Sequence, residues 1–183
     1  DLELQKIAEA VFPKDQAGIF ILMDPYTGSL RAVLSRPSFD PNMFLEAINK
    51  QDWNILQEQK SFLNRICKAT YPPGSIFKLV TFSAALETGV VNQYSTWYCG
   101  GYSILNDRHY HCARKEGHGE LTLKQAFAHS CNIPPFDMAR RLDIDTIARY
   151  AHIFGLGEKT NTALQEDIGL IPTKEWKKRV KGE

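Results

Sequence analysis

The spacing of apolar positions changes several times along the chain, and each change marks an element. Leu4, Ile7, Ala8 and Val11 follow the i, i+3, i+4, i+7 rhythm of a helix with one buried face. The pattern then breaks into two short apolar runs, "GIFILMD" and "SLRAVLSRP", around "PYTG", which predicts a β-hairpin. "PSFDPNMF" is a proline-rich loop, and residues 42–66 are mixed, helical in places. Helical period returns in "SIFKLVTFSAALETG", which opens after "PPG" and closes at Gly89, a C′ glycine.

Residues 90–120 lose any long period and become rich in Gly, Cys, His and aromatics, with short strand-like pieces. "LTLKQAFAHS" predicts a helix whose Thr122 and Gln125 form a capping box. Pro134 and Pro135 suit the first turn of another helix. "DIDTIARYAHIFG" is amphipathic through Ile144, Ile147, Ala148 and Ala151, ending at Gly155, and the tail "TKEWKKRVKGE" is basic. A hairpin followed by several helices predicts α/β or α+β architecture, with a sheet lacking its remaining strands.

Charge narrows the function. Lys plus Arg number 22 against 21 Asp plus Glu, a net +1, which offers no field for nucleic acid or an anionic membrane. No apolar run approaches the roughly 20 residues that cross a bilayer, and nothing at the N-terminus reads as a signal peptide. The chain opens mid-pattern without an initiator Met, so an excised piece is expected. At 183 residues it is long enough for one domain or a large part of a bigger one.

The chemistry begins at "YPPGSIFK". Ser75 and Lys78 stand three apart at a helix start, so hydroxyl and amine share a face. A serine is a weak nucleophile until a base takes its proton, and a lysine serves as that base once burial lowers its pKa. The helix N-terminus adds unpaired N–H groups that help hold an oxyanion. S-x-x-K occurs by chance about once in a chain of this length, so the pair alone does not decide. "HSCN" supplies a second piece: Ser130 can relay protons between lysine and leaving group, and the Asn132 amide can hold a substrate carbonyl or the lysine.

In that order, S-x-x-K then S-x-N, the chain resembles the penicillin-recognising serine transpeptidases and β-lactamases. "MDPYTGSLRAVLSRPSFDPNMF", "YPPGSIFKLVTFSAALETG" and "GLIPTKEW" extend the likeness to class B penicillin-binding proteins of the elongation type, the penicillin-binding protein 2 group, from about Gly18 onward. The resemblance implies an α/β penicillin-binding transpeptidase fold, with the N-terminal hairpin and helical lobe present and the sheet incomplete. It implies that Ser75 attacks the D-Ala–D-Ala carbonyl of a stem peptide with Lys78 as general base, while Ser130 and Asn132 line the groove. An amine from a neighbouring strand then captures the acyl-enzyme, cross-linking peptidoglycan, and β-lactams acylate the same serine. It further implies a bacterial inner-membrane protein facing the periplasm and working with a SEDS-type glycan polymerase in the elongation complex. Serine acylation calls for no organic cofactor.

One departure is large: no K-[ST]-G occurs anywhere, and "EKTNT" near Lys159 has the wrong third residue and lies too early. In the family that motif supplies an oxyanion N–H and the carboxylate anchor; losing one oxyanion donor alone costs about 10²–10³ in rate. Residues 1–183 are therefore expected to be a partial transpeptidase domain, nearly inactive by itself.

Cys99, Cys112, His118 and Cys131 are spaced C-x12-C-x5-H-x12-C. Thiolates plus imidazole make a good tetrahedral zinc set, though spacings longer than a finger's C-x2-C leave a disulfide or free thiols open. The resemblance adds that some elongation-type relatives hold zinc at the edge of the active site through acidic or cysteine residues, the histidine of a "GHG" and the middle residue of S-x-N. Here those last two are His118 and Cys131. A closed four-ligand zinc would be structural, bracing the loop that carries Ser130 and Asn132. His109 and His111 are alternative ligands, although His111 should face away from Cys112 on a strand. Cys67 is expected to be a buried small apolar residue, and His129 and His152 to cap, pack or face solvent.

Two rival classes complete the picture. A serine β-lactamase shares S-x-x-K but needs a deacylating water; Glu166 lies in a plausible region without anything marking it. A non-catalytic β-lactam sensor or zinc-braced binding module is the other.

Overall fold

The computed structural model describes residues 1–182. It divides into two compact units, Asp1–Tyr71 with Asn161–Asp167, and Pro72–Thr160 with the residues from Ile168 onward.

In the first unit, α1 (Leu2–Val11) starts at Asp1, whose carboxylate accepts from the N–H groups of Glu3 and Leu4. It lies on the hairpin β1 (Gly18–Met23) and β2 (Leu30–Arg36), paired antiparallel as the sequence predicts. The Gln5 side chain exchanges hydrogen bonds of 2.9 and 3.0 Å with the backbone of Val33, fixing helix to strand. Ala8 and, on the inner face of β2, Ala32 and Leu34 are buried, whereas Ile7 and Val11 are exposed. Asp24 closes the hairpin by accepting from the N–H groups of Tyr26 and Thr27 and from Arg31. Helices α2 (Lys50–Glu58) and α3 (Arg65–Lys68) follow a 3-10 turn capped by Asp40. Cys67 is buried here, as its type predicts. Buried Arg65 donates to the carbonyls of Lys60 and Gln59, which satisfies a guanidinium held out of water.

The second unit is built round α4 (Lys78–Glu87), whose Val80, Phe82, Ala84 and Ala85 are buried among Met138, Leu142, Ile147 and Ala151. Those partners come from α6 (Ile133–Arg141), α7 (Ile144–Ile153) and the residue following α6. The sequence predicts one helix from Ser75 to Gly89. Instead a 3-10 turn, Gly74–Phe77, precedes α4, and Gly89 takes φ +71° at its end. Pro72 and Pro73 offer no N–H and stiffen the entry, and Gly74 at φ +59° turns the chain sharply. Two ribbons lie at one end: β3 (Thr96–Cys99) pairs with β6 (Gly119–Thr122), and β4 (Tyr102–Leu105) with β5 (Arg108–His111). Short α5 (Leu123–Ala128) opens with the predicted Thr122–Gln125 capping box. The basic tail forms a further helix, α8 (Lys174–Lys181), capped by Thr173 and stopped at Gly182 with φ +71°. Among the described residues the strands make three separate two-stranded ribbons, in keeping with the expected incomplete sheet.

Candidate active site and cysteine cluster

Three pieces of the second unit meet. The 3-10 turn carries Ser75, and its 3.0-residue repeat eclipses positions i and i+3, aligning Ser75 with Lys78 at the first position of α4. The third piece is the joint between α5 and α6. Helix α5 stops after six residues, Ser130 turns the chain at φ +50°, and Asn132 starts α6. A left-handed conformation costs a β-carbon-bearing residue roughly 1–2 kcal/mol. Here it aims the Ser130 hydroxyl and carbonyl at one point.

That point is the Lys78 ammonium. Its three donors reach the Ser130 carbonyl, the Ser130 Oγ at 2.8 Å and the Asn132 Oδ1 at 2.7 Å. The Ser130 hydroxyl in turn donates to Ser75 Oγ at 3.0 Å. Among the described residues no direct hydrogen bond joins Ser75 to Lys78, so the link the spacing predicts runs through Ser130. Burial lowers the pKa of Lys78 below the ordinary lysine value, although the nearby thiols of Cys112 and Cys131 pull it partly back. Asn132 uses its other end to donate to the His111 carbonyl at 3.0 Å, which fixes the amide's orientation.

Directly behind lies the cysteine cluster. Donor atoms of Cys99, Cys112, His118 and Cys131 all lie within 4.8 Å of one another. The Sγ atoms of Cys112 and Cys131 are 3.8 Å apart, and His118 Nδ1 stands 3.5 Å from Cys99 Sγ and 3.6 Å from Cys112 Sγ. A tetrahedral centre with bonds of about 2.3 Å to sulfur and about 2.0 Å to nitrogen has sulfur–sulfur edges of about 3.8 Å and sulfur–nitrogen edges of about 3.5 Å. The donor set therefore fits such an ion in kind, three of its six edges match in length and the rest lie within 4.8 Å, and the four cysteines are unpaired. Protonation agrees. Burial pushes the Cys131 thiol up to about 12, while Cys112, also raised by burial, is brought below the ordinary thiol range by N–H groups of Asn132 and Arg114. Buried thiols that cannot all ionise together are what a dication would neutralise. Burial, with Arg114, His129 and Lys78, lowers the pKa of His118 and favours the neutral, ligating imidazole.

Two glycines allow this approach. A β-carbon on Gly117 would stand 2.1 Å from the Cys99 carbonyl oxygen, and one on Gly101 2.0 Å from that of Lys115. The backbones cross there, and His118 N–H donates to the Cys99 carbonyl at 3.0 Å. His111 and His109 both lie outside the ligand group; β5 ends at His111, so Cys112 is not on the strand that the alternation requires.

Residues 18–183 match the family described as the penicillin binding protein transpeptidase domain. The chain belongs to this family. "Peptidoglycan D,D-transpeptidase MrdA" of Salmonella typhimurium is 34% identical in an alignment 185 positions long that covers 98% of this chain and 30% of that protein. A crystal structure of Pseudomonas aeruginosa PBP2 in complex with WCK 5153 superposes on all of the chain and 42% of its own length, with TM-score 0.88 and 31% identity. Helicobacter pylori PBP2, in its complex with MreC, has TM-score 0.91 and 27% identity, covering 100% of this chain and 35% of its own. The penicillin-binding transpeptidase fold expected from the motifs is thereby shown, and the chain spans about 30% of the curated relative's length.

The structure also shows contacts that the sequence did not assign, one of them a packing partner for His129. His129 stacks on His118 with ring centroids 5.8 Å apart, and Trp97 Nε1 donates to Asp137 on α6 at 3.1 Å, tying β3 to the helix that follows Asn132. Both depend on contacts between distant segments, for which no local motif exists. Glu166 belongs to the first unit, where it accepts the Asn161 N–H.

Proposed function

We propose that this chain supplies the acylating half of a peptidoglycan D,D-transpeptidase, with Ser75 as nucleophile. The observation that carries the reading is the continuous hydrogen-bonded path from Ser75 Oγ through Ser130 Oγ to Lys78 Nζ. With Lys78 in its amine form, the path runs inward. As Ser75 Oγ bonds to the carbonyl carbon of the terminal D-Ala–D-Ala amide, its proton passes to Ser130 and the Ser130 proton to Lys78. Breaking the C–N bond reverses the flow: Lys78 returns a proton through Ser130 to the departing nitrogen. Asn132 holds Lys78 in line throughout. A β-lactam amide enters the same steps, and its tethered amine blocks departure. Deacylation by an amine of a second stem peptide makes the cross-link.

The four-residue cluster holds zinc on this reading, with Cys99, Cys112, His118 and Cys131 as ligands. Bound there, the ion supplies charge neutralisation and a brace, with no open position for water. Cys131 sits between Ser130 and Asn132, so fixing it fixes both neighbours. The oxyanion and carboxylate contacts of the third motif come from outside these 183 residues. The parent protein works at the periplasmic face of the bacterial inner membrane. Its partners are a SEDS-type polymerase and the elongation assembly, a reading that the likeness to Helicobacter pylori PBP2 in its complex with MreC supports.

Intact-mass analysis after benzylpenicillin tests this. A longer chain from the same gene that includes a K-[ST]-G motif should gain one adduct at Ser75, lost in Ser75→Ala, while residues 1–183 gain little. No adduct on the longer chain overturns the reading.

A further inference from the structure

We infer that Cys112 and Cys131 form a reversible oxidation site. Closing a disulfide between them and holding the ion are mutually exclusive states of one cluster, and closure disarms Ser130. The inference rests on the transpeptidase and zinc readings and adds a regulation to that same site.

Three thiols stand round one point, and one pair of them is in sulfur–sulfur contact. Cys112 Sγ lies 3.8 Å from Cys131 Sγ, whereas Cys99 Sγ meets His118 Nδ1 at 3.5 Å. Asn132 ties the backbones on either side of that pair. Its side chain donates to the His111 carbonyl at 3.0 Å, and its N–H donates to the Cys112 sulfur. Disulfide sulfurs stand about 2.05 Å apart, so closure draws these two together by about 1.8 Å.

Burial selects the oxidant. Cys112 is 4% exposed and Cys131 0%, and any further chain can only cover them more. A peroxide is small and uncharged, and it reaches the pair as the core opens. One sulfur, as thiolate, attacks a peroxide oxygen; the O–O bond breaks, hydroxide leaves and a sulfenic acid forms. The second sulfur, as thiolate, attacks the sulfenic sulfur and displaces its oxygen as hydroxide. With the two thiol protons both hydroxides become water, so two thiols lose two electrons and hydrogen peroxide gains them.

The thiolate is the metal ligand, so the disulfide withdraws two of the four donors and leaves Cys99 with His118. A bound ion in turn occupies both thiolates and keeps them from the peroxide. Cys131 lies between Ser130 and Asn132, and both of those accept from Lys78. Drawing Cys131 towards Cys112 therefore pulls on the proton relay.

The test divides the longer chain, with its K-[ST]-G motif, into zinc-loaded and chelator-stripped portions and treats both with hydrogen peroxide. Peptide mapping without reductant should find Cys112 joined to Cys131 in the stripped portion, with Cys99 still open to alkylation. The loaded portion should close about tenfold more slowly, because the ion holds the reduced state by mass action, and should release zinc in step with closure. Cys99→Ser, which removes a ligand and keeps the pair, should still close. The closed chain should take up benzylpenicillin about 10²-fold more slowly, the cost of misplacing a catalytic group by about an ångström, and dithiothreitol should restore zinc binding and acylation together. A link through Cys99, no link at all, zinc kept by the closed chain, or acylation at the reduced rate overturns the inference. A reduced chain that lacks zinc, or lacks a benzylpenicillin adduct, counts separately against the zinc or the transpeptidase reading.

Discussion

Ser130 does two jobs that pull against each other. Its hydroxyl completes the path from Ser75 to Lys78, yet its backbone sits at φ +50°, where glycine would be more comfortable. Ser130→Gly and Ser130→Ala both remove the relay and should slow benzylpenicillin acylation of the longer chain by about 10²–10⁴. Only the alanine also keeps the strain, so it should melt below the glycine variant in thermal unfolding; the reverse order would show that the turn is unstrained. Lys78 gives a pH signature. Its pKa is depressed by burial, so the reactive amine accumulates at lower pH than for a free lysine. Acylation should therefore rise with pH along a limb below the ordinary value of about 10.4, a limb that Lys78→Arg removes. The sign for stability follows from the same shift. Between the folded and unfolded pKa the native state holds fewer protons, so the Lys78 contribution is unfavourable at low pH and improves as pH rises through that window.

At the scale of elements, the glycine crossing sets the cluster. Gly117→Ala would drive a methyl into the Cys99 carbonyl, and the segment carrying His118 would have to withdraw. Purified without added metal, that variant should retain well under half the zinc of the unsubstituted protein; full occupancy would refute the role given to the crossing. Elements whose rules are local were legible in the sequence: the hairpin at "PYTG", the Thr122–Gln125 capping box, the proline-started α6 and the glycine stops. Ser75, Lys78, Ser130, Asn132 and the four metal-ligand candidates were also named there, and the fold brings all eight together. The 3-10 turn before α4 was not legible, because nothing in "GSIF" separates a three-residue from a 3.6-residue turn. Nor was the role of Ser130 as the bridge, among the described residues, between Ser75 and Lys78, since spacing fixes a shared face and not side-chain reach. The helix at the tail was missed because only Trp176 and Val180 are apolar among its charged residues, and two positions four apart are too few to establish a period.

Across the whole molecule, the cluster belongs to one of the two units, and that makes its contribution separable. In the second unit Cys99, Cys112 and Cys131 are part of the buried core with Val80 and Leu121, so on the zinc reading proposed above metal binding would be one event with core packing. Chelation should therefore strip hydrogen-exchange protection from β3, β6 and the start of α6, while the β1–β2 hairpin keeps its own. Equal loss in both units would contradict that division. The position of Cys131 has a pharmacological corollary. It lies one peptide bond from Ser130 and one from Asn132, so a thiophilic agent such as a gold(I) compound that seized its sulfur would disarm the serine from behind. Cys131 is fully buried, so gold enters only as the core opens, and a longer chain incubated until that sulfur is occupied should refuse benzylpenicillin with Ser75 chemically intact.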